Sequence, residues 1–85
     1  MKLYYSGKFA KEYKKLPGKI KRQAEKKEKI FRENPFDPRL KTHKLTGKLQ
    51  EFWSFSVDYQ HRIIFEFKSE KIIWFHSVGT HQIYR

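Results

Sequence analysis

The chain has no cysteine, a single methionine, three prolines and four glycines. Without cysteine it can form no disulfide, offers no thiolate nucleophile and holds no cysteine-ligated zinc. At 85 residues it makes one domain, residues 1–85, whose small core must be held by packing, by a partner, or by both. Acidic residues are scarce: nine Asp and Glu stand against twenty Lys and Arg, for a formal net charge of +11. No apolar run approaches the roughly 18 residues a membrane span needs. The apolar part of Met1–Ser6 is too short for a secretory signal, so a cytoplasmic protein without a membrane partner is expected. Phosphate-loop chemistry is also missing, because Gly47-Lys48 lacks both the upstream glycine and the following Ser or Thr of a Walker motif. No HExxH, calcium loop or nucleophile elbow occurs. The four histidines, His43, His61, His76 and His81, lack the spacings of zinc ligand sets, and the expectation is no metal and no cofactor.

What the chain does have is unevenly distributed. Residues 1–48 carry sixteen of the twenty basic residues and five of the nine acidic ones, so they account for the whole net charge. Residues 49–85 are balanced and hold most of the aromatics, including both tryptophans. This pattern reads as a basic helical layer on an aromatic sheet. A field of this size attracts polyanions and speeds their arrival.

Lys2–Tyr5 reads as a short strand and Ser6 as a helix N-cap. A helix over 8–16 places Phe9, Tyr13 and Leu16 on one face. Pro17-Gly18 breaks it, with Pro17 suited to the first turn of the next helix. That second helix runs to about Glu33 on a thin stripe of Ile20, Ala24, Lys27 and Phe31, with Glu25–Lys29 and Glu28–Arg32 spaced for ion pairs. Asn34-Pro35 ends it. A loop over 39–47 follows, then strands over 49–57, 61–67 and 71–78, whose short connections make them antiparallel. The expected fold is α+β in the order β-α-α-β-β-β, a helical hairpin packed on one face of a twisted antiparallel sheet. Trp53, Trp74 and the phenylalanines are expected mostly in the core. Alternation in the middle strand puts Ile63, Phe65 and Phe67 under the helices and turns Arg62, Ile64 and Glu66 to the open face.

His81, Tyr84, Arg62, His43 and Arg85 are the right chemical kinds for metal-free cleavage of RNA by its own 2′-hydroxyl. That reaction needs a base for the 2′-OH proton, an acid for the departing 5′-oxygen and a cation for the phosphorane. Each residue also has a plainer reading. Arg62 could be a strand-edge arginine paired with Glu66 or Glu51. His81 could be a solvated tail histidine, Tyr84 a ring packed over the hairpin, and His43 an ordinary loop histidine. His61 faces the helices by alternation, and His76 reads as packed or hydrogen-bonded.

Several pieces, in order, resemble the RelE/ParE superfamily of toxins, closest in style to its RelE, YoeB and YafQ branches. They are Pro35-Phe36, His43-Lys44-Leu45-Thr46-Gly47, Phe52-Trp53-Ser54, His61-Arg62-Ile63-Ile64-Phe65, Ser77-Val78-Gly79-Thr80-His81 and Tyr84. The resemblance covers nearly the whole chain. It implies a type II toxin, monomeric when alone, that cuts mRNA on the ribosome and is neutralised by a cognate antitoxin. By that resemblance Arg62 stabilises phosphate, His81 and His43 match catalytic histidines, and Tyr84 matches a C-terminal tyrosine. Ser54 and Ser56 stand where lysines would be expected, and Lys41, Lys44 and Lys48 of the loop could supply the cations instead. With Arg85 they form the expected RNA-binding set, while the general base is left open. The alternatives are a ParE-like inhibitor of DNA gyrase and a nucleic-acid-binding module without turnover.

Overall fold

The computed structural model describes residues 1–84, with the backbone alone at His81 and Tyr84. Strand β1 (Lys2–Tyr5) leads into helices α1 (Gly7–Lys14) and α2 (Gly18–Glu33). Strand β2 (His43–Lys44) then precedes β3 (Trp53–Ser56), β4 (Arg62–Phe67) and β5 (Ile72–Gly79). Short 3₁₀ turns lie at Pro38–Leu40, Gly47–Leu49 and His81–Tyr84.

Local chemistry sets these boundaries. Ser6 caps α1 by accepting from the Phe9 N–H at 2.9 Å and ties it to the sheet by donating to the His76 carbonyl, also at 2.9 Å. Pro17 stands one residue before α2, outside its first turn, and its carbonyl accepts from Ile20 and Lys21. On α2 the Glu28–Arg32 pair forms at 3.3 Å, while Glu25 is approached instead by the Tyr13 hydroxyl at 3.4 Å. Asn34 ends the helix in extended geometry, and its side chain accepts from the Phe36 N–H at 3.0 Å, fixing the turn into Pro35.

The sheet order is β1-β5-β4-β3-β2. The β3–β4–β5 meander is antiparallel, as its short connections require. The sheet as a whole is mixed, because β1 lies parallel along β5, with Tyr4 opposite Trp74. The expected loop supplies a fifth strand, with His43 opposite Ser54. Both helices cover one face. Phe31 of α2 is fully buried against Phe55, Phe65 and Phe75, with ring centroids 4.9–5.3 Å apart. Glu12 clamps α1 to β5 by accepting from the Ser77 hydroxyl (2.7 Å) and the Val78 N–H (3.1 Å). Strand β5 has one extra residue: Ile64 pairs with Ser77 and Phe65 with Phe75, leaving His76 as a bulge, so both Phe75 and Val78 reach the core.

Candidate active site

Alternation along the strands builds the face opposite the helices. Ile63, Phe65 and Phe67 pack in or against the core, so Arg62, Ile64 and Glu66 turn the other way, as expected. Across the sheet Ser56 pairs with Arg62, Ser54 with Ile64, and His43 with Ser54. A histidine, two buried serines and an arginine therefore share the side opposite the helices.

Arg62 and His43 line one depression, walled by Leu45, Thr46 and Leu49. The Arg62 guanidinium is held by its own turn. Its Nη1 donates to the carbonyls of Asp58 at 2.8 Å, His61 at 3.1 Å and Tyr59 at 3.4 Å. Among the described residues no carboxylate lies within ion-pair distance of it; Glu66 pairs instead with His76 at 2.9 Å and Lys68 at 3.4 Å. Carbonyl acceptors orient the fork without cancelling its charge. The His43 ring is oriented too. Its Nδ1 lies 3.2 Å from the Lys41 carbonyl, which can only accept, so Nδ1 carries the proton. In the neutral ring Nε2 then bears the lone pair, 3.4 Å from the Ser54 hydroxyl.

A second depression adjoins Arg62, lined by Lys27, Arg39, Lys41, Ser56, Asp58 and Tyr59. Four cations meet there from α2, the first 3₁₀ turn, the loop and β4. Arg39 is fixed by a two-pronged pair with Asp37, at 3.0 and 2.9 Å, and this holds the Asp37 carboxyl down at about 2. Lys27 donates to the Arg39 carbonyl at 3.2 Å. Lys41 adopts a left-handed backbone (φ 53°), an uncommon conformation for a residue with a Cβ. Asp58, the one carboxylate in this lining, is already engaged: one oxygen accepts from the His61 N–H (2.7 Å), the Gln60 N–H (2.9 Å) and His61 Nδ1 (2.9 Å). Burial pushes the Asp58 carboxyl up, but these hydrogen bonds outweigh it and its pKa lies below the ordinary value. Its carbonyl anchors Arg62, so one turn residue serves both the histidine and the arginine.

Gly79 pairs with Arg62 at the end of β5, and the chain turns there into the last 3₁₀ segment. A Cβ on Gly79 would stand 2.6 Å from the Ile83 Cγ2 methyl, so only glycine lets the tail fold back over the strand. The backbone of His81 follows two residues after Arg62's strand partner. The side chains of His81 and Tyr84, and all of Arg85, lie outside the described residues.

No protein-family model matches the chain, and no curated protein matches it by sequence. Solved structures do match. YafQ from E. coli strain BL21(DE3) superposes with a TM-score of 0.81 at 21% identity, over 98% of this chain and 96% of YafQ. A YoeB/ParE toxin from Agrobacterium tumefaciens gives 0.80 at 18% identity, over 95% and 99%. YafQ in the E. coli DinJ–YafQ toxin–antitoxin complex gives 0.78 at 21%, over 96% and 93%. The fold is that of these toxins.

Within this frame the expected residues separate. Arg62, His43 and Lys41 come together. Lys44 does not join them: it pairs with Trp53, whose ring packs on Phe36 and Phe67 on the helix side, so alternation points Lys44 away from His43. Lys48 is exposed in its 3₁₀ turn and lines neither depression. His61 sits on the helix side, facing residues of α1, and His76 is hydrogen-bonded, both as read from the sequence. Lys27 and Arg39 were missed as site residues. The fork Asp37-Pro38-Arg39 is legible in the sequence, but its proximity to Arg62 is tertiary. Trp74 departs from the expected core: it is half-buried on the open face, stacked on Tyr4.

Proposed function

We propose that this protein is the toxin of a toxin–antitoxin pair and an endoribonuclease that cuts mRNA on the ribosome in the cytoplasm. The observation that carries this is the shared depression of Arg62 and His43. A guanidinium unpaired with any described carboxylate stands beside an imidazole whose Nε2 carries the lone pair and meets the Ser54 hydroxyl at a long 3.4 Å. In the proposed reaction His43 Nε2 accepts the 2′-OH proton and the 2′-oxygen bonds to the adjacent phosphorus. Arg62 stabilises the extra negative charge of the phosphorane. The P–O5′ bond then breaks, and His81 gives its proton to the departing 5′-oxygen. Tyr84 orients the sugar or base. The products are a 2′,3′-cyclic phosphate and a 5′-hydroxyl, and the protein groups supply every proton and charge that these steps use. Lys27, Arg39 and Lys41 continue the positive lining for neighbouring phosphates, while Lys44, Lys48 and Arg85 add charge for docking on ribosomal RNA.

The likeness to the DinJ–YafQ toxin–antitoxin complex supports an antitoxin partner, and the net charge of +11 favours an acidic segment in it. Purified protein added to translating ribosomes, with mRNA ends mapped by primer extension, tests this reading. Cuts by the wild type that are lost on Arg62→Ala are expected. No cuts, together with inhibition of gyrase supercoiling, would overturn it in favour of a ParE-like activity.

A further inference from the structure

The open face carries a feature that phosphate cleavage does not use. Tyr4, Trp74 and His76 form a ladder of nearly parallel rings across β1 and β5. Tyr4 and Trp74 have centroids 5.5 Å apart at 24°, and Trp74 and His76 lie 6.3 Å apart at 21°. Phe52 closes the row edge-on to His76 at 5.0 Å. None of these rings belongs to the core cluster under the helices. Tyr4 is 43% exposed, so a ring at the sheet edge keeps a free flank in water.

The charges around the ladder favour a polyanion. Lys2 shares the outward face of β1 with Tyr4, and Lys68 follows the outward Glu66. The Glu66 carboxylate is paired with Lys68 at 3.4 Å and hydrogen-bonded to His76 at 2.9 Å, so it does not set an unopposed negative field there. The ladder lies on the same face as Arg62 and His43, with Ile64 between them on β4. Flat rings in a row, bordered by cations and on the same sheet face as the Arg62–His43 depression, suit successive bases of a single strand.

We propose that Tyr4, Trp74 and His76 form a base-stacking platform for a single-stranded RNA whose scissile phosphate lies at Arg62. This rests on the nuclease reading for the position of the cut, but the platform can be tested apart from it. Trp53→Phe leaves Trp74 as the only tryptophan. That protein is titrated with a 2′-deoxy hexanucleotide, which lacks the attacking hydroxyl and cannot be cut. Tryptophan fluorescence and the oligonucleotide's anisotropy are followed as salt is raised.

Quenching on binding is expected. Tyr4→Ala and Trp74→Ala should each weaken binding about five-fold or more, with the salt dependence of the affinity unchanged. Trp74→Phe keeps a π face and should retain most of the affinity, which separates stacking from loss of fold. Anisotropy that reports binding without quenching would overturn the platform. So would Trp74→Ala binding like the parent, or Trp74→Phe losing as much as Trp74→Ala. If the wild type cuts mRNA and Trp74→Ala binds and cuts equally well, the platform is wrong and the nuclease stands. If quenching occurs but no RNA is cut, the nuclease reading is wrong and the platform stands.

Discussion

Arg62 is held by three backbone carbonyls and by no described side-chain carboxylate. Its loss should therefore remove transition-state charge stabilisation without freeing a buried partner. Arg62→Ala is expected to lower single-turnover cleavage about 100-fold or more, with little change in melting temperature. Lys at this position restores a charge but not the fork, so Arg62→Lys should recover only part of the rate. Asp58 makes a prediction of opposite character. Its folded pKa is depressed below 3.8, so its contribution to stability is complete above that value and is lost as pH falls through the folded value. Asp58→Asn should melt earlier than wild type near neutrality, and the gap should narrow as pH falls from about 7 to below about 4. An unchanged gap across that range would mean that the Asp58–His61 pair does not hold the turn.

Elements, rather than single side chains, decide where the tail goes. Gly79→Ala places a methyl against Ile83, a branched carbon rather than the end of a flexible chain. The last 3₁₀ turn must shift, while the core under α2 is untouched. The expected outcome is cleavage reduced about ten-fold or more with a modest loss of stability. A variant as active as wild type would show that the tail's position is immaterial. Core loss should look different. Phe31→Ala empties a fully buried site among three phenylalanines and should cost about 3–5 kcal/mol, enough to unfold a domain of this size. The meander and the helical hairpin were legible because periods of two and of three to four are local. Three features were not. The parallel pairing of β1 with β5 joins residues 70 positions apart, as in Lys2 opposite Ile72. Strand β2 is two residues long, too short for a period. The extra residue at His76 changes parity within β5 and leaves no mark in composition. Trp74 has a simpler explanation: its residue type suggests the core, but alternation sets it on the face opposite Ile73 and Phe75.

At the scale of the whole molecule the charge is the dominant fact. Sixteen cations in the first 48 residues give a field that any polyanionic partner would meet first. Four of the site's cations, Lys27, Arg39, Lys41 and Arg62, come from four separate elements. Their convergence was invisible in the sequence, although the excess was plain. Removing Lys27 and Arg39 together should lower RNA affinity uniformly across sequences and flatten its salt dependence by roughly two phosphate contacts, leaving the cleavage positions unchanged. Altered positions would mean that these two side chains read bases. The proposed RNA cleavage needs Arg62 and His43 together, both oriented by backbone carbonyls on the face opposite the helices. Its most direct test is the mapping of mRNA ends on translating ribosomes with wild type, Arg62→Ala and His43→Gln. Codon-phased cuts bearing 5′-hydroxyl ends are expected with the wild type, unaffected by EDTA, and none above background with either variant. Equal cutting by Arg62→Ala and wild type would contradict it.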